Sequence, residues 1–336
     1  MTITRRGFLG YCIASAAALK LTSLDLLNLR AALANPNGPT VIWLHGSGCS
    51  GCSISFLNRI PEDTDAALSI PSLSAADLLT GSSSATNAAN ATSSVNLVYH
   101  AVLMAAAGET ASSAALNAAA AGPYILVVEG GVSTAFGGAC CSPWYVNGQD
   151  VPFQKVVTDF ASNANATSIV AIGTCAAFGG VSASGVNPGK VVSVAEAVKS
   201  ITQKTVLNIS GCPPHPNWIV WAIAQLLVGA SVQLDAQNRP LALYGKEIHA
   251  NCPRNQSSPT FDPSSNIPHA AQFGVDKACL MRLGCNGPGT YSPCPSMKWN
   301  NGANWCVDAN ANCLGCVEPT FPNASGFPDF YVVPSS

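Results

Sequence analysis

The cysteines constrain this chain more than anything else in it. There are 14 in 336 residues, and seven of them (Cys252, Cys279, Cys285, Cys294, Cys306, Cys313 and Cys316) crowd into its last part. From about Arg239 onward Pro, Gly, Asn and Cys dominate, and long periodic apolar runs vanish. Such a stretch can hardly close on a hydrophobic core alone and needs staples or metal. Seven cysteines cannot pair off fully. Adding His249, three residues before Cys252, makes eight candidate ligands, enough for two four-ligand sites. A histidine replacing a cysteine is precedented in iron–sulfur ligation, where it raises the potential.

Four further cysteines stand at the ends of apolar runs. Thr40–Leu44, Ile125–Val128, Ser168–Ile172 and Thr205–Ile209 read as buried strands, with helix-length segments such as Gln154–Ala161 and Val194–Ile201 between them. This alternation predicts an α/β fold: a doubly wound, flavodoxin-like, mostly parallel sheet domain, followed by an irregular C-terminal domain. Ligands of such sheets sit beyond the carboxyl ends of the strands. Cys49 and Cys52 follow the first run, Cys175 the third and Cys212 the fourth, so all four converge on one edge. Four thiolates in one place match a [4Fe–4S] site. Zinc is a rival for the same ligands. Two disulfides are a second, which leaves cysteines at three separate strand ends poorly explained. The adjacent Cys140 and Cys141 cannot easily serve one cluster and read as buried thiols or a local redox pair. Glu129, at a strand end beside this site, reads as a contact to a partner chain, a helix cap or a plain surface carboxylate. His45 and His215 read as structural.

The beginning of the chain bears on the redox compartment. Thr4-Arg5-Arg6-Gly7-Phe8-Leu9 carries the paired arginines of a twin-arginine export signal. An ordinary secretory signal or an amphipathic helix is the alternative. Lys20, Asp25 and Arg30 interrupt the apolar stretch that follows, and Ala32-Leu33-Ala34 puts the mature start near Asn35. Twin-arginine cargo crosses folded, often with its cofactor inserted, so cysteines in an exported chain need not be disulfides. The expected organisation is a signal over 1–34 with Cys12 inside it, a sheet domain over 35–238 and a cysteine-rich domain over 239–336. Residues 69–94, rich in Ser, Ala and Asn, read as a surface insertion. No later segment reaches about 18 unbroken apolar residues, so no transmembrane anchor of its own is expected. A net charge of −2 gives no sign of nucleic-acid binding. Only 10% of residues are charged, which suits burial against a partner and equally a large core within one chain.

Several motifs together resemble the small subunit of [NiFe] hydrogenases over nearly the whole mature chain. They are Val41-Ile42-Trp43-Leu44-His45-Gly46 before Cys49, Met104-Ala105-Ala106-Ala107-Gly108-Glu109, Val128-Glu129-Gly130 and Gly173-Thr174-Cys175-Ala176. Gly211-Cys212-Pro213-Pro214-His215-Pro216, Tyr244-Gly245-Lys246-Glu247-Ile248-His249, Leu283-Gly284-Cys285-Asn286-Gly287-Pro288, Trp299-Asn300-Asn301-Gly302 and Cys313-Leu314-Gly315-Cys316 complete the set. The resemblance implies three clusters. Cys49, Cys52, Cys175 and Cys212 would hold a proximal [4Fe–4S]. His249, Cys252, Cys279 and Cys285 would hold a distal [4Fe–4S], and Cys294, Cys313 and Cys316 a medial one. Many members carry Pro where this chain has Cys306. A fourth medial thiolate implies [4Fe–4S] rather than [3Fe–4S], as in the nickel–iron–selenium branch, which Asn304-Trp305-Cys306-Val307 and Gly315-Cys316-Val317-Glu318-Pro319 also resemble. Oxygen-tolerant members carry two extra cysteines near the proximal cluster; the places here are Gly51 (or Ser50) and Gly180. The implied role is electron relay for a periplasmic hydrogenase. The partners are a large subunit that bears the nickel–iron centre and a cytochrome or other acceptor, with membrane association only through a partner. The rivals are the cluster-bearing subunit of a quinone-reducing complex and a secreted disulfide-rich binding protein.

Cys306→Ser or Cys306→Pro is expected to convert the medial cluster to [3Fe–4S]. An electron paramagnetic resonance spectrum that keeps its four-iron signal would refute the assignment.

Overall fold

The computed structural model describes residues 40–58, 96–227, 229–255, 269–274, 278–300 and 302–322. The export signal with Cys12 and the insertion at 69–94 lie outside the described residues. Five strands form one sheet: β1 (Thr40–His45), β2 (Asn96–His100), β3 (Tyr124–Glu129), β4 (Ala166–Ile172) and β5 (Val206–Ile209). Their spatial order is β2-β1-β3-β4-β5, and every neighbouring pair is parallel. This is the flavodoxin-like order, with its switch point between β1 and β3.

β1, β3, β4 and β5 are largely apolar because both faces are covered. One face carries Ile42, Leu44, Leu126, Val128, Ile169 and Ala171. Against it pack α2 (Gly108–Ala121), α3 (Phe153–Ser162) and α5 (Val194–Val198), through Ala115, Phe153, Val157, Phe160 and Val194. The other face carries Val41, Trp43, Ile125, Val127, Ile172 and Ile209. It is covered by Phe56 of α1 (Gly51–Leu57), Trp218 and Trp221 of α6 (Pro216–Leu227), and Leu243 and Tyr244 of α7 (Leu241–Tyr244). Alternate residues of each strand thus serve opposite cores, as the two-residue strand period requires.

The four expected strands occur within a residue or two of their expected limits. The helix expected over Val194–Ile201 is shorter and gives way to a turn in which Ile201 and Thr202 N–H donate to the Val198 carbonyl. Ser193 caps its start by accepting from the Glu196 N–H at 3.1 Å, half of a capping box. The edge strand β2 has no counterpart among the expected strands: polar Asn96 and His100 bound it, and it lacks a long apolar run. Helix α2 buries small residues, Ala111, Ala115 and Ala119, so it shows little contrast between its faces in sequence.

Beyond Arg239 regular structure is sparse: α7, α8 (Ile248–Asn251), a 3-10 turn at Leu280–Leu283 and α9 (Cys294–Met297). A small third core holds Ile248, Ala278, Leu280, Trp305 and Val307 with Cys252 and Cys313. Arg239 ties this region to the sheet. Its Nε donates to Asp235 Oδ2 at 2.8 Å, and its Nη1 to Glu318 Oε2 and the Val317 carbonyl, both at 3.0 Å. The guanidinium also lies 5.1 Å from the centre of the Tyr244 ring, whose hydroxyl donates to the Ser210 carbonyl. Arg239→Met is expected to cost about 3–5 kcal/mol, because it strands two partly buried carboxylates. A fall in the melting temperature of the purified protein, partly restored by Arg239→Lys, checks this.

Candidate metal centres

His45 pairs with Glu129, Glu129 with Ile172 and Ile172 with Ile209, so β1, β3, β4 and β5 end on one line across the sheet. The pairing runs one step further. Gly46 N–H donates to the Glu129 carbonyl at 2.8 Å, and Gly173 N–H to the Ile209 carbonyl at 2.9 Å. The loops that leave this line carry Cys49, Cys52 (in α1), Cys175 (in α4, Thr174–Phe178) and Cys212. Gly173 is needed where it stands: its φ is +88°, and a Cβ there would lie 2.4 Å from Cys52 Sγ. Thr174 Oγ1 accepts from Gly211 N–H at 2.9 Å, locking the third loop to the fourth. The four sulfurs feel one another. Burial pushes the Cys52 thiol well up, followed by the Glu129 carboxylate and then Cys175, Cys212 and Cys49. Cys212 is pushed up to about 11 by burial, then by Cys175 and Cys49.

In the C-terminal region a cavity is lined by His249, Cys252, Cys279 and Cys285, together with Arg254, Leu280 and Trp305. Burial raises Cys252 to about 11, and the Arg254 N–H offsets part of that. Burial also raises Cys285, against which Gly287 and Cys313 N–H groups point. The remaining four sulfurs gather beside it. Cys294 is raised by burial, accepts from Ser292 Oγ at 2.9 Å and feels Cys306. Cys313 is raised to about 12 by burial, and also by Cys285 and Cys294. Cys316 is raised well up by burial, then by Cys294, Cys313 and Cys306, with the Cys212 N–H opposing. The four strand-end cysteines thus come together in one place, and the eight C-terminal candidates crowd into a second region where Cys285 acts on both Cys306 and Cys313.

All thirteen cysteines among the described residues are free thiols. No three His, Cys, Asp or Glu side chains among those residues sit close enough to hold a single metal ion. A zinc ion would need four ligands at about 2.0–2.3 Å. Within each group the donors are buried or half-buried thiols that act on one another, and thiolates are the donor type that iron–sulfur clusters take. Backbone N–H groups aimed at buried sulfur stabilise its ionised form, which is the ligating form.

Glu129 is neither a surface carboxylate nor exposed to a partner in this chain, being 1% exposed. It realises the helix-cap reading: Oε1 accepts from Ser53 N–H at 3.1 Å, in the first turn of α1, where Ser50 gives no side-chain cap. Oε2 accepts from Trp43 Nε1 at 2.9 Å and from the Ser53 hydroxyl. His45 donates from Nε2 to the Cys49 carbonyl at 3.0 Å, which is a structural contact. His215 accepts from Asn217 N–H and packs on Trp218 and Trp299. His100 escapes a reading of the sequence. Its Nδ1 accepts from Val102 N–H, leaving Nε2 to donate to Ser53 Oγ at 3.4 Å. Burial, helped by His45, holds His100 down to about 4, so it is neutral at pH 7. Its only sequence signal is a place on β2, itself a strand without a clear pattern. Cys140 is exposed, against the expectation of a buried thiol, and the half-buried Cys141 is raised by burial while bonding the Ser47 side chain. Gly51 and Gly180 do lie against the first group: a Cβ on Gly51 would meet Cys49 Sγ at 3.2 Å, and one on Gly180 would meet Cys175 N at 2.9 Å.

Residues 49–226 match the family model described as NADH ubiquinone oxidoreductase, 20 kDa subunit. Residues 244–328 match the C-terminal family model of the NiFe/NiFeSe hydrogenase small subunit. The periplasmic [NiFeSe] hydrogenase small subunit of Desulfomicrobium baculatum is 33% identical over 350 residues, covering 99% of this chain and 99% of that one. The periplasmic [NiFe] hydrogenase small subunit of Solidesulfovibrio fructosivorans is 35% identical, covering 95% and 90%. A solved structure of the D. baculatum [NiFeSe]-hydrogenase superposes with a TM-score of 0.68 at 34% identity, covering 85% of this chain and 96% of that one.

Glu129→Ala removes the acceptor of three buried donors, each worth about 1–3 kcal/mol when left unpaired. A marked drop in melting temperature is expected, with Glu129→Gln intermediate; an unchanged melting temperature in the Ala variant would sink the capping role.

Proposed function

The chain belongs to the [NiFe]/[NiFeSe] hydrogenase small-subunit family, the electron-transfer partners of a large catalytic subunit, and on that footing we propose that it relays electrons through three [4Fe–4S] clusters. Cys49, Cys52, Cys175 and Cys212 hold the proximal cluster. Cys294, Cys306, Cys313 and Cys316 hold the medial cluster, and His249, Cys252, Cys279 and Cys285 the distal one. The sheet domain, 35–238, carries the first and the C-terminal domain, 239–336, the other two. The protein is exported to the periplasm by its twin-arginine signal. There it passes electrons between the nickel–iron centre of the large subunit and a cytochrome or other acceptor.

One observation carries the order of the relay. Thr174 Oγ1 donates to the Cys316 carbonyl at 2.5 Å, and the Cys212 N–H points at Cys316 sulfur, so the first group abuts the Cys316 group. Cys313 in turn feels Cys285, so that group abuts the His249 group. These contacts support the order proximal, medial, distal. When bound, such clusters supply one-electron transfer at potentials set by ligand type, hydrogen bonds to sulfur and burial. This chain's residues supply those settings. Trp218, Tyr244 and Val317 belong to the apolar cluster that covers Cys52, Cys294 and Cys316, while Cys49, Cys212 and Cys306 stay open to solvent in this chain. Backbone N–H groups of Gly287, Gly315 and Cys212 face the sulfurs of Cys285, Cys313 and Cys316.

The quinone-reducing rival accounts for the match over 49–226, but not for the second match over 244–328 or for relatives aligned end to end. The disulfide-rich rival meets thirteen free thiols. Iron and acid-labile sulfide in the purified protein are expected at roughly 12 iron per chain, with a copurifying large chain that contains nickel. About four iron would favour the quinone-type relative, and none with oxidised cysteines the secreted binding protein.

A further inference from the structure

Two arginines are almost wholly buried among the described residues, Arg239 and Arg254. Arg239 has two carboxylates within 3.0 Å. Arg254, 5% exposed, has none within ion-pair distance among the described residues. Its Nη1 donates to the Ala278 carbonyl at 3.1 Å and its Nη2 to Asn310 Oδ1 at 2.7 Å, and both partners are neutral. A buried guanidinium without a counter-charge is strongly disfavoured. The cavity that Arg254 lines offers that counter-charge, since it is also lined by Cys252, Cys279, Cys285 and His249. The Arg254 charge acts on the Cys252 and Cys285 sulfurs, and the Ala278 carbonyl it holds immediately precedes Cys279.

We infer that Arg254 is the fixed counter-cation of the distal cluster, held in place by Ala278 and Asn310, and that it sets the reduction potential of that cluster. The inference rests on the assignment of a distal cluster to these four ligands. A cluster that takes up one electron becomes more negative by one charge. A nearby fixed cation favours that reduced form and raises the potential. The same placement explains an arginine rather than a lysine: two separate N–H groups of one planar head reach two acceptors on different loops. Arg254 touches no reacting atom directly and acts as a positioning and tuning residue.

The test is a potentiometric titration of the assembled two-subunit enzyme, with each cluster followed by electron paramagnetic resonance and iron counted in each sample. Arg254→Gln is expected to weaken reduction of the distal cluster about tenfold or more, or about 59 mV for a one-electron couple, with the proximal and medial potentials unmoved. Asn310→Asp leaves the arginine in place and neutralises it there, and is expected to lower the distal potential in the same direction. Arg254→Lys keeps the charge and is expected to stay near the native value. Full iron with an unshifted distal potential in Arg254→Gln overturns the inference and leaves the cluster assignment standing. So does an unshifted Asn310→Asp if Arg254→Gln fails to load. A lysine variant that falls as far as the glutamine variant reduces Arg254 to a structural strut and also overturns it. A wild-type enzyme without distal iron removes the assignment itself, and the inference with it.

Discussion

Parallel pairing decides where everything else in this protein can be. Because β1, β3, β4 and β5 run the same way and end flush at His45, Glu129, Ile172 and Ile209, four loops far apart in sequence leave from one line. An antiparallel sheet would have sent half of them to the opposite edge. The helices that make the crossovers cover both faces, which is why the strands are almost wholly apolar. The first cysteine group is therefore a by-product of topology. The glycines and Thr174 then trim the loops until the sulfurs face one another.

The C-terminal region works on a different principle. Its described residues hold four short helical turns and a small core, so they do not draw their order from long elements. Its chain is held by polar ties that cross between loops: Arg239 to Glu318, Glu318 Oε1 to Tyr291 N–H, Arg254 to Ala278 and Asn310, and Asn286 N–H to the Cys313 carbonyl. Several end on a residue next to a cysteine. The same contacts that give the region a shape therefore also orient its sulfurs.

How much of this is legible in the sequence differs by region for physical reasons. β1, β3, β4 and the edge strand β5 are legible because burial on both faces leaves continuous apolar runs, and the strand-end rule then locates the first cysteine group. The edge strand β2 and helix α2 are not legible. One is bounded by Asn96 and His100, and the other meets the core with alanines, so neither has a strong pattern. In the C-terminal region eight ligands can be counted but not partitioned from spacing. Cys285 acts on both Cys306 and Cys313 across the two groups, and among the described residues the one-turn α9 is the regular element between Cys285 and Cys306. Dividing them takes the family resemblance. The roles of His100 and Arg254 depend on what surrounds a single buried side chain, which a lone sequence does not display.

Gly51 and Gly180 both border the proximal group, yet they differ in what they would tolerate. Gly51 has no left-handed backbone, and an added Cβ would press only on a cysteine sulfur. Gly180 has φ +49°, and an added Cβ would run into the backbone of Cys175 at 2.9 Å. Evolution could therefore try a new side chain at 51 with a small local shift, whereas position 180 is closed until its loop first changes course. A thiol at 180 therefore asks the loop itself to move, whereas one at 51 asks only a neighbouring side chain to yield.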